Sequence, residues 1–198
     1  ATQIIAPQRI VHLTKRHWAE IEEDAADMWW RVRGRLMHTI LERAEPDNAL
    51  TEERIHLKLH DRDISGAADY FGGTHHLIDY KSTSVFSYIY QSRMREWTAQ
   101  INILALLFRS VGFPADKASI FAEWRDWRYG ESLRMPDYPA APIQMVDIEL
   151  WPHEQALEYL ELSVESLIQC ESMPDDALPE CTAEEMWERP TQWAVMKT

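Results

Sequence analysis

The chain has 198 residues, 45% of them hydrophobic, with nine tryptophans and a net charge of −13. This predicts one packed domain spanning 1–198 rather than a disordered segment. No apolar run nears the roughly 20 residues of a membrane span and no signal peptide opens the chain, so no membrane partner is expected. Two cysteines, Cys170 and Cys181, are too few for a disulfide framework, which makes a reducing cytoplasm the expected compartment, and the acidic balance argues mildly against nucleic acid without saying where the charges lie.

In chain order, residues 1–13 read as an irregular entry containing Pro7. A long helical stretch follows from about Lys15 to Arg43, with apolar residues such as Trp18, Ile21, Met28, Trp29, Val32, Leu36 and Ile40 near the three-four spacing of a buried stripe. Gly34 predicts two helices or a kink near 33–35. His38 and Glu42, four apart, share one helical face. Arg31, Arg33 and Arg35 are the only dense positive charge of this segment, either contacts for a phosphate backbone or ordinary solvated arginines.

Residues 45–50, with Pro46, Asp47 and Asn48, read as a turn, and 51–59 as a strand in which Ile55, Leu57 and Leu59 alternate with polar residues. Glu52 and Glu53, at its start, read as solvated charge. A turn at 61–63 leads into two strands, 64–71 and 75–81, joined around Gly72 and Gly73. Residues two apart on a strand share a face, so Asp79 and Lys81 project together while Tyr80 points away. With Asp69 on the preceding strand they make a plausible hydrolytic centre: two carboxylates hold a hard divalent cation, and the ammonium offsets charge gathering on a phosphate. Acidic residues are so common here that an acid two positions before a lysine means little alone. The added signal is its place at the end of an apolar strand, HHLIDYK, behind GAADYF. Because opposite residues in an antiparallel pair share a face, Asp69 and Asp79 converge only if the loop is odd or bulged.

Beyond the hairpin, residues 96–110 form an amphipathic helix stopped by Gly112 and Pro114. Residues 119–124 and 143–150 read as strands separated by a proline-rich loop, in which Trp127, Arg128 and Tyr138 are a candidate base-stacking surface or only a connection. A last helix covers 152–170, and 171–198 form a tail packed on the core. The order implies an α/β domain with a mixed central β-sheet flanked by α-helices.

Gly34, His38 and Glu42, then Gly66 and Asp69, then Asp79 and Lys81, then Gln100 on a following helix, resemble the PD-(D/E)XK nucleases, in particular the RecB-like branch that includes phage recombination exonucleases and CRISPR-associated relatives. The resemblance spans Gly34 to about Leu104, where Leu104 stands in place of the usual tyrosine. It implies a restriction-endonuclease-like core, with His38, Asp69, Asp79 and the Tyr80 carbonyl as ligands of Mg²⁺ or Mn²⁺. It implies Lys81 as the catalytic lysine, with Asp69, Asp79 and Gln100 also catalytic, and Glu42 as a further candidate. The implied activity is metal-dependent DNA hydrolysis by an exonuclease acting from ends, with DNA as partner and a recombination or replication protein as a further one. A structure-specific endonuclease or junction resolvase, or a non-catalytic nucleic-acid-binding protein, are the alternatives. Some relatives carry an iron–sulfur cluster. Cys181, Trp187, Pro190 and the closing WAVMK resemble that cluster-bearing tail, but such sites need four thiolates, so no iron–sulfur cluster is expected and Trp187 and Trp193 are expected to pack in its place.

Overall fold

The computed structural model describes residues 2–43, 49–183, 185, 186 and 188, with Asp27 lacking a described side chain. The expected turn at Pro46, Asp47 and Asn48, and the expected packing of Trp187 and Trp193, lie outside the described residues. The elements in order are α1 (Thr2–Ile5), α2 (Gln8–Arg16), a 3₁₀ turn (Trp18–Glu20), α3 (Ala25–Glu42), β1 (Arg54–Leu59), β2 (Arg62–Ala67), β3 (Tyr70–Gly72), β4 (His76–Thr83), α4 (Val85–Ile89), α5 (Met94–Ser110), β5 (Lys117–Trp124), α6 (Tyr129–Ser132), β6 (Ile143–Ile148), α7 (His153–Glu171) and a second 3₁₀ turn (Asp175–Ala177).

The mixed sheet has the order β3-β4-β5-β6. β4 and β5 are parallel, and the β3–β4 and β5–β6 pairs are antiparallel. A parallel pair needs a long crossover, here supplied by α4 and α5. α5 is buried on nearly all sides, through Trp97, Ile101, Ile103, Leu104, Leu107 and Phe108, as expected of a helix packed between a sheet and other helices. It meets Leu77 and Ile120 of the sheet, while Leu160 and Val164 of α7 extend the same core. Gly112, at φ +90°, ends α5: its amide reaches the Arg109 carbonyl and the Phe113 amide reaches that of Phe108.

The structure differs from the sequence reading at four places. Residues 1–13 are largely helical, because tertiary bonds hold what local propensity does not: Arg9 donates to the Leu178 carbonyl at 2.8 Å and Arg16 pairs with Asp175 at 2.6 Å. The expected helical stretch from Lys15 is broken at 17–24 instead of near Gly34. His17 turns to bond Asp175 and Glu20, and a fresh helix starts at Asp24, whose carboxylate accepts from the Ala26 amide at 2.7 Å. α3 then runs unbroken through Gly34, since one glycine costs a helix only about 1 kcal/mol. Finally, the expected strand 64–71 is two strands. β2 pairs with β1 in a separate hairpin, the chain crosses at Ala68 and Asp69, and β3 joins the main sheet. The buried positions record this break, shifting phase from Ile64, Gly66 and Ala68 to Asp69 and Phe71.

Candidate metal centre

β4 presents two faces. Asp79 and Lys81 stand beside Ile120 and Ala122 of β5, on the side covered by α5, while Tyr80 and Ser82 stand beside Phe121 and Glu123. The β3–β4 register pairs Tyr70 with Ile78, Phe71 with Leu77 and Gly72 with His76. The loop between them is therefore odd, residues 73–75, with Gly73 at φ +59° and His75 at φ +52°. The register ends at Tyr70 opposite Ile78, and Asp69 precedes it at the bend where the chain leaves β2 for β3.

Backbone and side chains then fix the two carboxylates differently. Asp69 Oδ2 accepts from the Tyr80 amide at 2.5 Å, and its Oδ1 lies 3.0 Å from His38 Nδ1. The His38 ring, carried by α3, also meets the Tyr80 ring edge-on at 5.8 Å. Asp79 is almost wholly buried. Gln100 Nε2 of α5 donates to its Oδ1 at 3.0 Å, and Lys81 Nζ stands 2.5 Å from its Oδ2. That ammonium is the partner of Asp79 Oδ2, an ion pair held against a carboxylate almost wholly out of solvent.

The sequence reading missed Glu52. It was assigned to solvated charge, yet its carboxylate comes within 3.6 Å of His38 Nδ1. Leu50 and Phe71 exchange both backbone hydrogen bonds at 2.8 Å, and the Glu52 amide donates to the Ala68 carbonyl at 3.0 Å. These bonds carry the segment alongside the hairpin, and a left-handed φ of +54° turns Glu52 ahead of β1. No local motif could have announced this placement.

His38, Glu52 and Asp69 each offer a ligand atom, all within 4.8 Å of one another. That is close to the roughly 4–5 Å spanned by two metal–oxygen bonds. The electrostatics fit a cation. The hydrogen bond to Asp69 raises the pKa of His38, aided by Asp79 and Glu52. Burial raises that of Glu52, reinforced by Asp69, and burial raises that of Asp79 against the opposing pull of Lys81. A divalent ion would offset this crowding of acidic groups. The group is a cluster able to bind a metal.

The structure thus brings together His38, Asp69, Tyr80, Asp79, Lys81 and Gln100. It does not bring in Glu42, which is exposed at the end of α3, and Asp79, an expected ligand, likewise lies outside the group of His38, Glu52 and Asp69, its carboxylate taken up by Gln100 and Lys81. Of the three arginines, Arg31 forks onto Glu23 at 2.8 and 2.6 Å, and Arg33 pairs with Glu123, which also accepts from the Ser82 hydroxyl. Arg35 is exposed, with no ion pair among the described residues. In the loop before β6, Trp127 Nε1 donates to the Pro139 carbonyl at 2.8 Å, and the Tyr138 hydroxyl is tied to the Arg128 amide and the Asp126 carbonyl. These side chains brace the loop. Cys170 and Cys181 are both free thiols.

Fold and site together define a mixed α/β protein, its central sheet flanked by helices and carrying a histidine–carboxylate cluster at the β3–β4 hairpin. No known protein family matches the sequence, and no curated protein matches it. Among solved structures, SSO0001 is similar over 88% of this chain and 76% of its own, with a TM-score of 0.57 and 17% identity. A candidate exonuclease from Eubacterium rectale aligns over 92% of this chain and 70% of its own, with a TM-score of 0.45 and 9% identity. Among the described residues no helix is long and apolar enough to cross a membrane.

Proposed function

We propose that the protein is a metal-dependent deoxyribonuclease of the PD-(D/E)XK superfamily, built on a restriction-endonuclease-like core of the RecB-like type, that degrades DNA from its ends. The observation that carries this reading is the gathering of His38, Glu52 and Asp69 within 4.8 Å, with Asp69 bonded to the Tyr80 amide between Asp79 and Lys81. In this reading His38, Asp69 and Asp79, with the Tyr80 carbonyl and Glu52, hold Mg²⁺ or Mn²⁺. When bound, such an ion supplies Lewis-acid activation of the scissile phosphodiester.

The chain's own residues do the rest. Gln100 holds Asp79 Oδ1, so the carboxylate keeps its other oxygen turned toward the centre. The Tyr80 amide holds Asp69 in the same way. Lys81, one-quarter exposed, lies where a phosphate would approach and meets the negative charge that builds on it in the transition state. End-directed action is the economical choice for an acidic chain, because little positive surface is left to grip the length of a duplex.

The test offers purified protein, with Mg²⁺ or Mn²⁺, linear duplex, closed circular duplex, circular single strands and end-labelled strands. Linear substrates are degraded, both circles survive, and EDTA or Lys81→Ala abolishes activity while circular dichroism is unchanged. Cutting of closed circles replaces the exonuclease with an endonuclease. Full activity of Lys81→Ala removes the proposed centre.

A further inference from the structure

The guanidinium of Arg125 lies over the Trp30 ring, 4.5 Å from its centroid, yet Trp30 remains 49% exposed. This planar cation–aromatic pair has no part in the core. Its position follows from two elements that also build the metal centre. On α3, Trp30, Gly34 and His38 succeed one another at four-residue intervals and so share one side of the helix, with Trp30 about 12 Å from His38. A Cβ on Gly34, midway between them, would meet nothing within 4 Å. Arg125 follows β5 directly, and its amide donates to the carbonyl of Thr83, two residues beyond Lys81 on β4.

We propose that Trp30 and Arg125 form a stacking platform for an unpaired base of a DNA strand whose scissile phosphate lies at the centre of His38, Asp69, Asp79 and Lys81. The inference rests on reading that centre as a nuclease site, and it names the substrate: a single strand, or a duplex end frayed into one. The chemistry is general. Every base has a π-face, and indole and guanidinium planes accept it regardless of sequence. A base inside a duplex has no such face free. At about 3.4 Å per nucleotide of a stacked strand, the platform engages a base three to four nucleotides from the cut. Stacking also suits a chain of net charge −13, because it grips a strand through a base rather than through its phosphates.

The competing occupant of α3 is a protein. Met28, Val32, Leu36 and Ile40 form an exposed apolar stripe, but on a different side of the helix from Trp30 and His38. The adjacent Trp29, 57% exposed, points about 100° away and serves as the control.

The experiment measures fluorescence anisotropy of labelled oligo(dT) and of a blunt duplex of equal length in EDTA, so that binding is read without turnover. The wild-type protein prefers the single strand. Trp30→Ala and Arg125→Gln each weaken that binding by roughly five- to one-hundredfold, Trp30→Phe stays close to wild type, and Trp29→Ala is unchanged. Circular dichroism melting confirms that each variant folds. Because Trp30 and Arg125 are separate substitutions on separate elements, misfolding of one leaves the other to decide. Equal affinity for duplex, unchanged binding in Trp30→Ala and Arg125→Gln, or an equal loss in Trp29→Ala overturns the platform, the last in favour of a protein-docking face. Metal-dependent digestion with no effect of Trp30 sinks the platform alone. Trp30-dependent strand binding with no digestion under any metal sinks the nuclease reading alone.

Discussion

Glu52→Gln in the presence of Mn²⁺ tests the metal cluster without recourse to activity. The ligand atoms of His38, Glu52 and Asp69 are already gathered within 4.8 Å, so binding requires little rearrangement of the fold and appears as added stability. A ligand bound only by the native state adds RT ln(1 + [L]/Kd), about 2.7 kcal/mol when free Mn²⁺ is a hundred times Kd. For a domain of 198 residues, each kcal/mol moves the melting temperature by about 2–4 °C, so wild-type protein gains about 5–11 °C over its EDTA-treated form. Glu52→Gln keeps the shape and removes one anionic donor. If affinity falls about a hundredfold, the upper end of what altered metal surroundings cost, the same Mn²⁺ concentration adds only about 0.4 kcal/mol, or 1–2 °C. Without metal, the substitution is neutral or mildly stabilising, since burial and Asp69 already disfavour the Glu52 carboxylate. Differential scanning fluorimetry across a Mn²⁺ titration reads both quantities. A wild-type melting temperature indifferent to millimolar Mn²⁺ refutes the cluster as a metal centre, and a full shift in Glu52→Gln refutes this residue as a ligand.

His17 bonds Asp175 at 2.7 Å and Glu20 at 3.0 Å, and the Asp175 hydrogen bond leads in raising its pKa above 6.5. Its contribution to stability is therefore fully present below pH 6.5 and lost as pH rises through the folded-state value. An NMR titration finds His17 above 6.5 in the wild type and closer to it in Asp175→Asn; an unchanged value refutes the pairing. Leu77, fully buried on β4 opposite Phe71, anchors the strand that carries Asp79. Leu77→Ala costs about 2–5 kcal/mol in urea unfolding, and a loss well under 1 kcal/mol contradicts the packing described.

The parts of the fold visible in the sequence were those where one local pattern governs. The apolar run of α5, ended by Gly112 and Pro114, and the alternation of β1 both became the expected elements within a few residues. The parts that were not visible depend on distant partners. Nothing within residues 1–16 shows that Arg9 and Arg16 will find the carbonyls and carboxylate of 170–178, and without those bonds the entry has weak helical reason. Gly34 misled in the opposite sense, as a local cost of about 1 kcal/mol is small beside the continuity of an 18-residue helix. The crossing at Ala68 and Asp69 was not visible either: the fold buries both neighbours, which a regular strand with one solvent face does not do, but nothing in the sequence marks that aspartate for burial.

The same distinction runs through the site. Asp79 and Lys81 were legible because two-residue spacing on a strand dictates a shared face, and the demand for an odd loop at the hairpin followed from parity alone. The loop found, residues 73–75, meets that demand, with both Gly73 and His75 in the left-handed region. Glu52 follows no such rule. Its carboxylate reaches His38 through a two-bond bridge between Leu50 and Phe71 and a third bond to Ala68, three long-range backbone contacts that side-chain chemistry does not encode. Acidic residues near a cation site are gathered in this way at a cost: burial and mutual repulsion raise the pKa values of Glu52 and Asp79 together. On Asp79 the opposing positive charge comes from Lys81 and His38, while Gln100 adds a neutral hydrogen bond, and a cluster of this kind could bind a metal ion.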